Sequence, residues 1–405
     1  MRFTPKLLRT SFFYSNTLKW KQTPEALLWR YLLNSQDMIL INHPILDVEE
    51  MRAVAKVIRS GILTNKRGSG QQVTKFESSF AKYVGTKFAV AVNSGTAALH
   101  AALLAAGVGK GDEVIVPSFT FVATAEMVAL TGARPVFVDI DPTSYCIDPE
   151  EVEAAITSRT KAIIPVHLYG LSVDMDPIMD LAEDHNLIVI EDAAQAHGAE
   201  YRGKRTGSLG HIGCFSFYGS KSMVTGEGGM LTTNSREFSD AAANVRNHGE
   251  DRLYQSSMLG HNYRMPELEA AIGYVQLKKL PKFLEERSKN AEFLREAFSL
   301  SDELQLPFEP SDSKHGWYVY TVRLRRANAA RRNNVLRRIR EHRVDCQIYY
   351  PRPVHQQLYY RKTFDSFKLP KTETAARQVF SLPIHPSLGE KELKRIVNAV
   401  KSALR

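Results

Sequence analysis

From about Ile39 onward, the apolar positions fall into two alternating patterns. Residues 49–60 and 73–84 carry apolar side chains at helical spacing and stop at Gly61 and Gly85, as amphipathic helices closed by glycine do. Short apolar runs of strand length follow at 88–92, 113–117, 135–138, 161–166, 187–190, 214–218 and 230–233, and helical patterns separate the earlier ones. Runs that are apolar almost throughout need cover on both faces. They predict an α/β fold around a mostly parallel, seven-stranded sheet. Only a short glycine-rich stretch joins the last two runs, so those two are expected to form an irregular or antiparallel pair.

A long helical tract covers residues 266–298, and the pattern then changes. Residues 317–324 and 344–350 read as strands, and 328–342, 372–379 and 390–404 as helices. The expected organisation is an extension over 1–37, a large domain over 38–290 and a smaller α+β C-terminal domain over 291–405. The extension has no acidic residue before Glu25 and is rich in Arg, Ser, Thr and aromatic residues. That composition can mimic an organelle transit peptide. We favour a start assigned too early, with Met38 the true beginning and the extension poorly ordered.

Among the 405 residues, 53 Lys and Arg against 44 Asp and Glu give a net charge of +9. A basic balance suits nucleic acid, anionic lipid or a phosphorylated substrate. Much of the excess comes from residues 1–37 and from 323–343, where nine arginines face Glu341 alone. Val335 and Ile339 lie one helical turn apart there, which is compatible with an ordinary solvated helix. No apolar stretch is long enough for a membrane-spanning helix. Cys146, Cys214 and Cys346 are too few and too scattered for a disulfide framework or a zinc site, so no metal and a cytoplasmic location are expected.

Three stretches carry chemistry. Residues 93–100 (NSGTAALH) place Ser, Gly and Thr between a strand and a helix, where free N–H groups and the helix dipole favour an anion. Simple capping uses the same residues. No Walker A and no G-x-G-x-x-G sequence is present. Residues 187–196 (LIVIEDAAQA) put Glu191 and Asp192 at the carboxyl end of a strand, where ligands of open α/β sheets bind. Residues 213–221 (GCFSFYGSK) set Lys221 directly after a buried strand, a context in which a lysine can lose its proton and attack a carbonyl. An anion-binding turn, an acid and a lysine are what pyridoxal 5'-phosphate requires.

At these residues the chain resembles the DegT/DnrJ/EryC1/StrS family of pyridoxal phosphate-dependent nucleotide-sugar aminotransferases. The matching stretches are 94–99, PSFTFVAT (117–124), HLYG (167–170), EDAAQA (191–196), FSFYGSKSMVTGEGG (215–229), RNHG (246–249), GHNYRM (260–265) and YYPRPVH (349–355). The resemblance covers all but residues 1–37 and implies a fold-type I enzyme. It also implies roles. Lys221 is similar to the lysine that forms the Schiff base, and Asp192 to the partner of the pyridine nitrogen. Gln195 matches the residue bonded to the cofactor's phenolic oxygen, and Phe121 the aromatic that stacks on its ring. Thr96, Ala97 and Ser216 match phosphate ligands. Asn262 matches a ligand given by the neighbouring subunit, which implies a homodimer with shared sites. His167, Tyr349 and His355 are candidate substrate contacts.

The implied activity is transfer of an amino group from an amino acid, glutamate, to a nucleotide-linked keto-sugar, a 4-keto-6-deoxy sugar first and a 3-keto sugar second. Dehydratases of the family have a histidine where Lys221 stands, so the lysine argues for transamination over dehydration or regulation. A basic nucleic-acid-binding protein is the reading from another class, and no zinc finger or RNA-recognition motif supports it.

Overall fold

A computed structural model of the chain describes residues 38–65, 70–252, 254–363 and 367–405. The expectations for residues 1–37 lie outside the described residues. Seven strands form the central sheet: β1 (Phe88–Val92), β2 (Glu113–Pro117), β3 (Arg134–Val138), β4 (Thr160–Ile163), β5 (Ile188–Asp192), β6 (Ile212–Ser216) and β7 (Gly229–Thr233). Their spatial order is β1-β7-β6-β5-β4-β2-β3. Neighbouring pairs from β6 to β3 are parallel, and β7 runs antiparallel to both β1 and β6. The glycine-rich stretch before β7 thus makes a return on the same side of the sheet, as the sequence suggests.

Helices cover this sheet because its strands are apolar on both faces. They are α1 (Val48–Ser60), α2 (Gln71–Val84), α3 (Gly95–Ala105), α4 (Ala123–Leu130), α5 (Pro149–Ala155), α6 (Met175–Asp184), α7 (Arg236–Arg246) and the long α8 (Glu267–Phe298). Helix α3 is apolar nearly all round, and its residues from Ala97 to Leu103 are buried in the core against the sheet. On the other face, Phe76 and Phe80 of α2 meet Phe217 in a cluster of tilted and edge-on rings.

Acidic side chains secure these helices over long sequence distances. Helix α2 begins after Gly70, which offers no capping side chain. Glu267 of α8 takes its place, accepting from the Gln72 N–H at 2.7 Å and the Val73 N–H at 3.1 Å. Gly70 admits that approach because a Cβ there would lie 2.2 Å from Glu267 Oε1. Glu50 of α1 is buried and accepts from Lys279 Nζ and Gln276 Nε2 of α8, each at 2.8 Å.

After α8 come β8 (Leu304–Gln305), β9 (Tyr320–Leu324), α9 (Ala329–Glu341), α10 (Leu358–Thr363), α11 (Pro370–Gln378), β10 (Val379–Leu382) and α12 (Glu390–Leu404). Strands β8, β9 and β10 form an antiparallel sheet with β9 in the middle. Residues 344–350, expected as a strand, pair with this sheet through a single bridge between Gln347 and Ser381 among the described residues. The partners of β9 are instead β8 and β10, and the sequence pattern assigned the start of β10 to a helix. Residues 40–405 form one compact unit, and α8 runs unbroken through position 290.

The arginine-rich segment has a structural explanation. Arg338 donates to Ser402 O at 2.8 Å and Ala403 O at 2.9 Å, serving the last carbonyls of α12. Arg332 is buried and donates to Ala376 O at 3.1 Å and Val379 O at 2.8 Å, at the end of α11. Arg323 donates to Gln378 Oε1 at 2.6 Å, Arg331 pairs with Glu303, and Arg337 with Glu341. Several of these guanidinium groups are therefore committed within the fold, which weakens a nucleic-acid reading of the charge.

Candidate active site

Glu191 and Asp192 are consecutive at the end of β5, so their side chains leave opposite faces of the sheet. Glu191 is fully buried. It accepts from Leu209 N at 2.8 Å and Gly210 N at 2.7 Å on Oε1, and from Gly207 N at 2.6 Å and His167 Nε2 at 2.9 Å on Oε2. Asp192 lines a cleft at the carboxyl ends of the parallel strands. Its Oδ2 accepts from Thr124 Oγ1 at 2.8 Å and its Oδ1 from Ala194 N at 3.2 Å. Thr124 Oγ1 is in turn 3.0 Å from Thr120 Oγ1. Burial still outweighs these bonds and the nearby Lys221 charge, and holds the Asp192 carboxyl above its ordinary range.

The first turn of α3 opens onto the same cleft. Ser94 caps it by accepting from Ala97 N at 3.0 Å. The N–H groups of Gly95 and Thr96 stand at a helix start, where no intrahelical acceptor exists. A Cβ at Gly95 would come 2.7 Å from the Ser216 Cβ, so glycine lets this turn close against β6. Ser216 lines the cleft beside it.

Lys221 lies in the turn after β6, its N–H bonded to Tyr218 O at 2.9 Å. Nζ sits 4.9 Å from the centroid of the Tyr318 ring. Ser220 Oγ is 3.1 Å from the Tyr318 hydroxyl. Gln195 is oriented by its neighbours: Oε1 accepts from Tyr169 N at 2.9 Å, and Nε2 donates to the Tyr350 hydroxyl at 2.9 Å. Phe121 is 55% exposed at the cleft wall, with its ring 6.1 Å from that of Tyr350. The cleft holds about 330 Å³ and brings together Thr96, Phe121, Asp192, Gln195, Ser216, Lys221 and Tyr349.

Three expected residues are placed differently. The Ala97 N–H is already used by Ser94, and the side chain does not line the cleft. His167 is fully buried; its Nδ1 accepts from Val173 N at 3.0 Å while Nε2 donates to Glu191, so neither ring nitrogen is left for a substrate. His355 is buried, with Nδ1 2.6 Å from Ser118 Oγ and Nε2 3.6 Å from Glu373. Asn262 is exposed and lies outside this cleft, paired through a bridge with Asn247.

Sequence reasoning missed other cleft residues. Thr120 and Tyr350 stand inside the motifs PSFTFVAT and YYPRPVH, which was their only signal. Glu227 stands inside the GEGG stretch in the same way. Tyr318 carried none: its stretch reads simply as a strand.

These residues fit pyridoxal phosphate. Asp192 is a buried acid that lacks a cation bonded to it, which a protonated pyridine nitrogen would provide. The start of α3 and Ser216 would take the phosphate. The second Nε2 hydrogen of Gln195 is spare for a ring oxygen, since each carboxamide nitrogen carries two.

One consequence concerns stability. An acid whose pKa is raised on folding keeps its proton longer in the native state than the ordinary 3.8 of the unfolded chain. Stability contributed by Asp192 is therefore present at low pH and lost as pH rises through the folded value. Asn cannot ionise, and its Nδ2 can donate to Thr124 Oγ1. Asp192→Asn should thus make the cofactor-free protein more stable at pH 7 by about 0.5–2 kcal/mol, with a smaller gain at pH 4. Denaturant unfolding at the two pH values measures this, and a less stable variant at pH 7 would refute it.

The DegT/DnrJ/EryC1/StrS aminotransferase family model matches residues 44–401. GDP-perosamine synthase of Caulobacter vibrioides is 41% identical over 339 residues, covering 83% of this chain and 91% of that protein. A pleiotropic regulatory protein of Geobacillus stearothermophilus is 40% identical over 380 residues, covering 90% of this chain and 99% of its own. The crystal structure of DesV from S. venezuelae, in complex with a ketimine intermediate, superposes with a TM-score of 0.84 at 38% identity, covering 88% of this chain and 95% of that one. The chain belongs to the DegT/DnrJ/EryC1/StrS aminotransferase family and is a pyridoxal phosphate-dependent transaminase.

Proposed function

We propose that this enzyme moves the amino group of an amino acid, glutamate, onto a nucleotide-linked keto-sugar, with a 4-keto-6-deoxy sugar as the acceptor. The convergence of Asp192, Lys221 and the open start of α3 on one cleft carries the reading. The relative named GDP-perosamine synthase supports a sugar nucleotide as substrate. The lysine in the cleft supports turnover over a purely regulatory role.

Pyridoxal phosphate, when bound, supplies an electron sink for the carbon that loses its proton. Asp192 would bind the cationic ring nitrogen, with its carboxylate fixed by Thr124. Thr96, Ser216 and the α3 N-terminus would hold the phosphate. Gln195 would donate to the ring oxygen, and Phe121 would pack on the ring. Lys221 Nζ removes the proton from Cα of the amino acid and, in the second half of the cycle, delivers one to the sugar carbon that receives nitrogen. One group doing both transfers requires the two substrates to use the cleft in turn. The enzyme acts as a homodimer, in which Asn262, exposed on this chain, completes the neighbouring phosphate site.

Incubating the enzyme with pyridoxal phosphate, glutamate and a panel of nucleotide-linked keto-sugars tests the proposal. Amino-sugar formation from the 4-keto-6-deoxy members, read by mass spectrometry, is the expected result. Product from 3-keto sugars alone would move the site of amination. Absence of product from every sugar would remove the substrate class.

A further inference from the structure

Tyr318 stands outside every motif of the family resemblance, yet the fold fixes it from several sides. Its N–H donates to Tyr169 O at 3.0 Å. Its carbonyl accepts from Arg287 Nη1 at 3.1 Å, and the same nitrogen donates to Trp317 O at 3.0 Å. Arg287 is buried, and among the described residues its Nε has no acceptor and no carboxylate pairs with it. A buried guanidinium without an acid carries a large desolvation cost. Here its bonds go to two consecutive carbonyls of one turn. Trp317 stands at φ +47°, in the left-handed region that bulky residues avoid. Gly170 admits this turn, because a Cβ there would lie 2.9 Å from the Trp317 nitrogen. Strain of this kind persists only where the surroundings over-determine a position, and it collects at functional sites.

What this turn places is a ring. Tyr318 is 3% exposed, lines the cleft and meets Lys221 Nζ 4.9 Å from its ring centroid. Its hydroxyl lies 3.1 Å from Ser220 Oγ, which ties the ring to the turn carrying the lysine. Among the described residues, no oxygen bonds to Lys221 Nζ, so the ring is the group that holds it. A ring face attracts an ammonium strongly and a delocalised charge weakly. Transamination uses the lysine in two states. With the aldehyde form of the cofactor, the lysine nitrogen joins the aldehyde carbon, and two ammonium hydrogens leave with the aldehyde oxygen as water. The positive charge that remains is spread over the cofactor. The amine form has no aldehyde, and the lysine stays a free ammonium.

We propose that Tyr318 is a positioning residue for Lys221: its ring is the seat of the free ammonium in the half of the cycle in which the cofactor carries the amino group. This rests on the reading of Lys221 as the lysine that bonds the cofactor. Tyr318→Leu removes the aromatic face, whereas Tyr318→Phe keeps it and loses only the hydroxyl. Competition between pyridoxal phosphate and pyridoxamine phosphate for the cofactor-free protein, read by absorbance, reports on the seat without substrate or turnover. In Tyr318→Leu the preference should move toward the aldehyde form by about two- to thirtyfold, because only the free lysine loses its partner. Tyr318→Phe should move it by less than about twofold. Tyr318→Met repeats the test if circular dichroism shows that Leu disturbs the fold. An unchanged preference in the Leu or Met variant would overturn the assignment. So would a Phe variant that shifts as far as Leu, because the hydroxyl would then carry the effect. Borohydride reduction of the parent separates the two readings. No label on Lys221 would defeat the role of the lysine itself, whereas label on Lys221 with an indifferent Tyr318→Leu defeats only the seat.

Discussion

Replacing Lys221 with Ala is expected to strip the enzyme of its lysine-linked visible band and lower turnover by roughly 10²–10⁴-fold, the range for loss of a positioned proton carrier. Nζ lies against the Tyr318 ring at the floor of the turn after β6 and lines the cleft with Asp192. Among the described residues, no other lysine lines that cleft. The side chain is partly exposed, so its removal leaves no large cavity, and unfolding midpoints should change little. Borohydride reduction followed by peptide mapping gives the decisive readout. Label on Lys221 in the parent and no label in the variant supports the assignment, while label on a second lysine in the variant would end it.

Glu191→Gln should be the most damaging change among the conservative ones, at about 3–5 kcal/mol of stability. All four partners of this carboxylate are donors: the N–H groups of Gly207, Leu209 and Gly210, and His167 Nε2. His167 cannot turn its other tautomer toward Glu191, because Nδ1 already accepts from Val173 N. A glutamine amide must aim its NH₂ at two of these donors whichever way it is flipped. The site is fully buried, so no water relieves the clash of hydrogens. Since the backbone of β5 connects the two acids, cofactor affinity should fall too. Denaturant unfolding of the cofactor-free variant checks the number, and a loss under about 1 kcal/mol would mean that the loop over 207–210 readjusts freely.

The sheet was legible because its strands are apolar on both sides and punctuated by glycine. Asp192, Gln195 and Lys221 were legible because they stand in contiguous motifs at strand ends. For Ala97 and His167 the same motifs say less: a motif gives the position of a residue and not the bond that already occupies it. The Ala97 N–H belongs to Ser94, and the His167 ring to Glu191 and Val173. Contacts made across long distances left no local trace. Glu267 capping α2, Arg338 serving the end of α12 and Tyr350 meeting Gln195 depend on folding, which periodicity does not encode. The strand β10 was hidden because the pattern over 372–379 continues smoothly from helix into sheet.

The place of β7 between β1 and β6 has a kinetic meaning. It separates β1 from β6, with Phe88 opposite Thr233 and Ser216 opposite Gly229. During synthesis the earlier strands emerge first, and β1 must wait for more than a third of the chain before its only partner exists. Until then both edges of β1 and one edge of β6 stay open, and each can pair with the wrong strand. The start of α3 follows β1 directly, so the anion-binding turn settles only when that late strand is inserted. This order of events leaves the nascent chain open to mispairing over about a third of its elongation, and aggregates formed on overexpression are expected to include the Phe88–Val92 segment in their ordered core.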